Sequence, residues 1–126
     1  MEEENELEPL AFLGHTHSLG TLVQLYRVRE KRWDLLGEVL GNQPQSFYSV
    51  KNLGLKKGDW LAGRCWMKSS RRWDTKHGLS SQDEMCNIYL VYRVHGNLLK
   101  GNTHCITQHG TGWQGLGLRT KPHNTV

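Results

Sequence analysis

Two histidines one residue apart, His15 and His17, and a run of unlike donors at Met85, Cys86, Asn87 and Tyr89 are the residues of this chain best suited to chemistry. On an extended segment, residues two apart share a face, so His15 and His17 would offer both imidazoles to one ion. The same rule points Met85, Asn87 and Tyr89 one way and Cys86 the other. Two imidazoles and a thioether make a soft, neutral donor set that suits Cu(I) and is poor company for Mg2+ or Ca2+. An open fourth position admits oxygen or a reductant, and redox work is the reason to use copper and not zinc there. The plain alternative assigns Met85 and Tyr89 to the core, has Asn87 cap a turn and leaves the histidines incidental, since methionine commonly fills gaps. Residue types alone leave both readings standing.

The three cysteines are Cys65, Cys86 and Cys105. None forms a CxxC pair, which argues against a zinc ribbon. An odd count fits one bridge and one leftover thiol. A bridge between Cys65 and Cys86 would pin the Met85 segment in place; two buried free thiols are the other possibility, and spacing does not choose between them.

The elements that must position these residues read as strands. The chain has 126 residues, the length of one domain, with 14 glycines and a mean hydropathy of −0.63. Many turns and short apolar runs favour an all-β fold over long helices. Strands are predicted over 22–28, 33–40, 46–50, 60–67 and 87–94, the first two joined as a hairpin by the charged turn at Glu30-Lys31-Arg32. Residues 1–11 read as a disordered acidic leader, with Glu2, Glu3, Glu4 and Glu6 at its start. Residues 12–105 form the expected domain. Residues 106–126 lack any alternation and read as an unstructured tail. The net charge of +4 is spread over loops and strand edges without a recognised motif, so no nucleic-acid partner is expected. No apolar run approaches bilayer length, and the acidic start lacks the layout of a signal peptide.

Several segments, in order, carry a resemblance: His15-Thr16-His17-Ser18-Leu19-Gly20, Tyr26-Arg27-Val28-Arg29, Trp33-Asp34-Leu35-Leu36-Gly37, Gln43-Pro44-Gln45-Ser46-Phe47-Tyr48, Gly58-Asp59, Ala62-Gly63-Arg64-Cys65 and Asp83-Glu84-Met85-Cys86-Asn87-Ile88-Tyr89. Over about residues 12–105 the set resembles the C-terminal domain of the copper type II, ascorbate-dependent monooxygenases, in particular their peptidylglycine-hydroxylating branch.

The resemblance implies a fold, a site and a reaction. The fold is an antiparallel β-sandwich of jelly-roll type, here incomplete and with disordered termini. His15, His17 and Met85 would be the ligands of one copper ion, with no catalytic residue beyond them. Asn87 and Tyr89 would hold the substrate, Cys65 and Cys86 would be bridged, and Cys105 would match a cysteine whose partner lies upstream of everything present. The reaction is hydroxylation of the α-carbon of a C-terminal glycine in a glycine-extended peptide, a step of peptide amidation, using ascorbate and dioxygen in the secretory pathway or outside the cell.

Departures from the family pattern accompany the match. Leu13 stands where the family has an arginine that grips the peptide carboxylate. The first strands are replaced by the acidic leader, and the pattern is lost after Cys105. The N-terminal copper domain, expected to be required for activity, is not in this sequence. The expectation is therefore a truncated domain, inactive alone, with a non-catalytic copper-binding or interaction remnant as the alternative.

Overall fold

The computed structural model describes residues 7–94. The expected tail at 106–126, the first six residues of the expected leader, and Cys105 lie outside the described residues. Six strands form in chain order: β1 Leu7–Thr16, β2 Gly20–Arg29, β3 Arg32–Leu40, β4 Tyr48–Ser49, β5 Trp60–Met67 and β6 Cys86–Val94. They make two three-stranded antiparallel sheets, ordered β4-β1-β6 and β3-β2-β5. The all-β sandwich expected from the sequence is the observed architecture.

β1 was assigned no strand by the sequence, and it begins at Leu7, inside the stretch expected to be leader. It is the central strand of its sheet. Its weak pattern has identifiable causes. Pro9 lies at a register shift between Pro9 and Ala11, a bulge, where a residue without an N–H can sit inside a sheet. Glu8 is answered across the ladder by Arg93, which donates to its carboxylate from Nε and Nη2. The predicted strand at 46–50 shrinks to Tyr48–Ser49, while the other four predicted strands match within two residues at each end.

The core fills the space between the sheets. Phe12 of β1 packs with Val23 and Leu25 of β2 and with Leu36 and Val39 of β3, and Ile88 and Leu90 of β6 close over them. Inward residues alternate along β1 as Phe12, Gly14 and Thr16, all buried, which sends Leu13, His15 and His17 to the outer face. The sheets approach closely at this end. A Cβ on Gly14 would lie 2.7 Å from Val23 Cγ1, and one on Gly63 would lie 2.5 Å from Ile88 Cδ1. Larger side chains at either position would force the sheets apart.

The opposite face of β2 builds a second cluster from Tyr26, Val28, Trp33 and Ala62, with the Tyr26 and Trp33 rings edge to face at 5.5 Å. The β2–β3 hairpin turns through Glu30 and Lys31, both at positive φ (48° and 66°), the conformation a two-residue hairpin loop demands.

Candidate metal centre

β1 and β6 are neighbours, and their register aligns the residues singled out above. His15 lies opposite Asn87, Leu13 opposite Tyr89, and Thr16 opposite Cys86. Directly opposed residues of an antiparallel pair share a face. The outer face of this sheet therefore carries Leu13, His15, Asn87 and Tyr89 together. Met85 directly precedes β6, and extending the same register by one pair sets it opposite His17. Tyr89 is 52% exposed, and His15, His17, Met85 and Asn87 are half-buried, so none of the five belongs to the core. The plain alternative for Met85 and Tyr89 as core residues does not hold.

The imidazoles of His15 and His17 stand edge to face with centroids 5.3 Å apart. Each has its Nδ1 engaged. Nδ1 of His15 is 2.5 Å from Gln45 Oε1, and Nδ1 of His17 is 2.8 Å from the carbonyl oxygen of Asp83. The orientation of the Gln45 amide is set by its Nε2, which donates to the Thr16 carbonyl at 2.8 Å. Both partners of the rings are thus pure acceptors, so each Nδ1 is the donor. In the neutral ring that leaves the lone pair on Nε2, the arrangement found in metal-ligating histidines whose other nitrogen is held by an acceptor. The donor set fits a soft ion on this count. Among the described residues no group of three His, Cys, Asp or Glu is placed to hold a metal ion. Met85, which the extended register sets opposite His17, carries a donor of another type, a thioether.

The turn that carries His17 from one sheet to the other is built on a buried carboxylate. Glu84 Oε1 accepts the N–H of His17 and, at 2.8 Å, that of Met85, while Oε2 accepts the N–H of Leu19 at 2.8 Å. Burial alone would raise the Glu84 carboxyl, but these three donors outweigh it and hold it below the ordinary range, so the group is ionised. The Glu84 backbone is fixed in turn, its N–H donating to Lys76 O at 2.9 Å and its carbonyl accepting from Gly78 N at 3.2 Å.

A disulfide joins Cys65 to Cys86, with Cα atoms 5.9 Å apart. It ties β5 of one sheet to β6 of the other, one residue from Met85. The two thiols are therefore not free.

The Cys65–Cys86 bridge implied by the resemblance is present, and His15, Asn87 and Tyr89, singled out in the sequence, fall on one sheet face, with His17 and Met85 just beyond the ends of its two strands. Sequence reasoning did not find Gln45, the Asp83 carbonyl or Glu84 as the groups that hold the two rings and the start of the Met85 segment. The available signal was that Gln45, Asp83 and Glu84 all fall inside segments that carry the resemblance.

The chain matches the family described as copper type II ascorbate-dependent monooxygenase, C-terminal domain, over residues 1–110. Among curated proteins it is similar to peptidyl-glycine alpha-amidating monooxygenase B of Xenopus laevis, 39% identical over 88 residues, covering 68% of this chain and 10% of that protein. It is also similar to the peptidyl-glycine alpha-amidating monooxygenase of Mus musculus, 43% identical over 84 residues, covering 65% of this chain and 9% of that protein. The chain thus spans about a tenth of the length of these curated relatives.

Proposed function

The chain belongs to the copper type II ascorbate-dependent monooxygenases, whose C-terminal domain it carries, and from that premise we propose that His15, His17 and Met85 hold one copper ion in a domain that serves peptidylglycine hydroxylation. The observation that carries this reading is the pair of rings 5.3 Å apart, each with Nδ1 committed to an acceptor and Nε2 left to a metal. When bound, copper supplies one-electron redox chemistry and the activation of dioxygen. In the overall reaction one oxygen atom enters a C–H bond and the other leaves as water, with two electrons drawn from ascorbate.

The residues of this chain do the holding and the orienting. Two neutral nitrogens and a thioether favour the reduced ion. The Asn87 amide, opposite His15, has a donor and an acceptor to offer a peptide backbone, and Tyr89 presents its ring and hydroxyl two residues further along the same face. The substrate is a glycine-extended peptide. The Cys65–Cys86 bridge supports an oxidising compartment, the secretory pathway or the cell exterior. Among the described residues no helix is long and apolar enough to cross a membrane.

Leu13 favours the second reading, a copper-binding remnant without turnover. It lies opposite Tyr89, two residues from His15, on the face where substrate would sit. An alkyl side chain offers no charge-assisted bond to a peptide carboxylate, a contact worth on the order of 1.5–3 kcal/mol. The deciding experiment has two arms. Cu(I) titration against a competing chelator should show an affinity that falls in Met85→Ile; equal affinity in that variant removes Met85 from the site. Oxygen uptake with copper, ascorbate and a glycine-extended peptide should show slow or no product formation by the 126-residue chain. Sustained turnover at about 1 per second or faster, an ordinary enzymatic rate, would instead establish the chain as a complete catalyst.

A further inference from the structure

We infer that Glu84 is a positioning residue for the metal centre: its single carboxylate clamps the backbones of two ligands, His17 and Met85, at one oxygen atom. This rests on the reading of His15, His17 and Met85 as the copper ligands.

The argument starts from the connectivity. His17 and Met85 are 68 positions apart and belong to different segments, one a turn leaving β1, the other the approach to β6. The regular β1–β6 ladder ends at Thr16 and Cys86, one residue short of both. No ladder hydrogen bond therefore fixes the distance between them. Glu84 Oε1 does, by accepting both N–H groups, and Oε2 adds the N–H of Leu19 beyond the turn. Three backbone donors on one carboxylate are charge-assisted bonds, roughly twice as strong as neutral ones.

The clamp is itself anchored. Glu84 is 9% exposed, so water competes little for its oxygens, and its backbone pairs with Lys76 and Gly78. Its neighbour Asp83 gives its carbonyl to Nδ1 of His17. Two consecutive residues therefore set the position of the His17 backbone, the rotation of its ring and the start of the Met85 segment. The disulfide at Cys86 holds the far side of that segment to β5 of the other sheet. Three of the roughly four acceptor positions of this carboxylate are engaged by backbone N–H groups, two on Oε1 and one on Oε2, which fits a positioning role.

The test uses the full chain and four proteins: wild type, Met85→Ile, Glu84→Ala and Glu84→Gln. Each is titrated with Cu(I) against a chelator well below its melting temperature, and the copper X-ray absorption spectrum is read for a sulfur neighbour. Wild type should show sulfur and Met85→Ile should not. Glu84→Ala should lose the sulfur signal and bind Cu(I) about 10–100-fold more weakly, the usual cost of removing a group that orients a ligand. Glu84→Gln keeps one acceptor oxygen for His17 and Met85, so it should recover most of the affinity and the sulfur signal. A residue that only stabilised the fold would lower the melting temperature and leave both copper readouts of the folded protein unchanged.

Wild-type affinity and sulfur signal in Glu84→Ala would overturn the inference. Should that variant not fold, amide exchange of the metal-free wild type decides. The His17, Leu19 and Met85 amides should be protected like those of the β1–β6 ladder, and free exchange at these positions would overturn the clamp. Absence of sulfur in wild type, with Met85→Ile binding equally well, would instead refute the ligand assignment and the positioning role with it, while protected amides would leave Glu84 as a structural tie alone.

Discussion

Replacing both Cys65 and Cys86 by alanine removes the disulfide that ties the two sheets together, and its cost can be worked out. The bridge closes a loop across a sequence separation of 21. In the chain-entropy treatment a loop of that size costs the unfolded state about 11 cal/mol/K, or about 3 kcal/mol at room temperature. Loss of the bridge adds little cavity, because Cys65 is only half-buried and Cys86 is exposed. For a domain of this size each kcal/mol moves the melting temperature by about 4–8 °C, so the double variant should melt roughly 12–24 °C lower. Urea unfolding of both proteins, oxidised, should show the midpoint shifted down. The slope should steepen modestly, since the uncrosslinked chain exposes more surface on unfolding. A double variant that unfolds within about 1 kcal/mol of the parent would refute the argument, and would mean that the packing of Phe12, Val23, Ile88 and Leu90 holds the sheets together without help from the bridge.

Two further outcomes concern stability away from the site. Asp59 accepts two bonds from Arg29, each 2.7 Å, and this pairing first of all holds its carboxyl below the usual range; for Asp34, burial pulls upward but bonds to Arg27 and Arg32 outweigh it. A depressed carboxyl pKa stabilises fully above the unfolded value near 3.9 and loses that contribution as pH falls through the folded value. Stability should therefore drop between about pH 4 and the acid limit, and Asp59→Asn should flatten that drop; an identical slope in the variant would sink the assignment. Lys31 sits at φ 66°, where a side chain costs about 1–2 kcal/mol and glycine's extra unfolded freedom costs about 0.5–1. Lys31→Gly should raise the melting temperature by a few degrees, and a lowered one would show that the turn is not strained.

Four of the six strands were legible because their residues favour a pleated surface on their own account. Trp60–Met67 combines two tryptophans with small apolar residues, Cys86–Val94 is rich in aromatic and β-branched side chains, and the Leu22–Val28 and Trp33–Leu40 runs meet at a charged turn. β1 was not legible for the opposite reason. Glu8 and Pro9 argue against a central strand, and what rescues them, Arg93 opposite and a bulge, is contributed by the fold. Tertiary pairing here overrides local preference. The expected leader was read from the same acidic residues, and for Leu7 through Ala11 the ladder with β6 replaces it.

The site was legible to a different depth. Strand alternation put Met85, Asn87 and Tyr89 on one face because side-chain direction depends only on the backbone's period of two. It also aligned His15 with His17. It could not say that the two faces are the same face, since that requires the register between β1 and β6, where His15 meets Asn87. Nor could it find the acceptors. Gln45 reaches His15 from the loop before β4, and Glu84 reaches back 65 positions to Leu19, so both bonds depend on how loops settle against a finished sandwich. The division has a physical basis. Donor type is a property of side chains, which a sequence states directly. Donor placement is a property of hydrogen bonds between segments far apart in the chain, and in this protein those bonds are made by a glutamine, a carbonyl and a carboxylate.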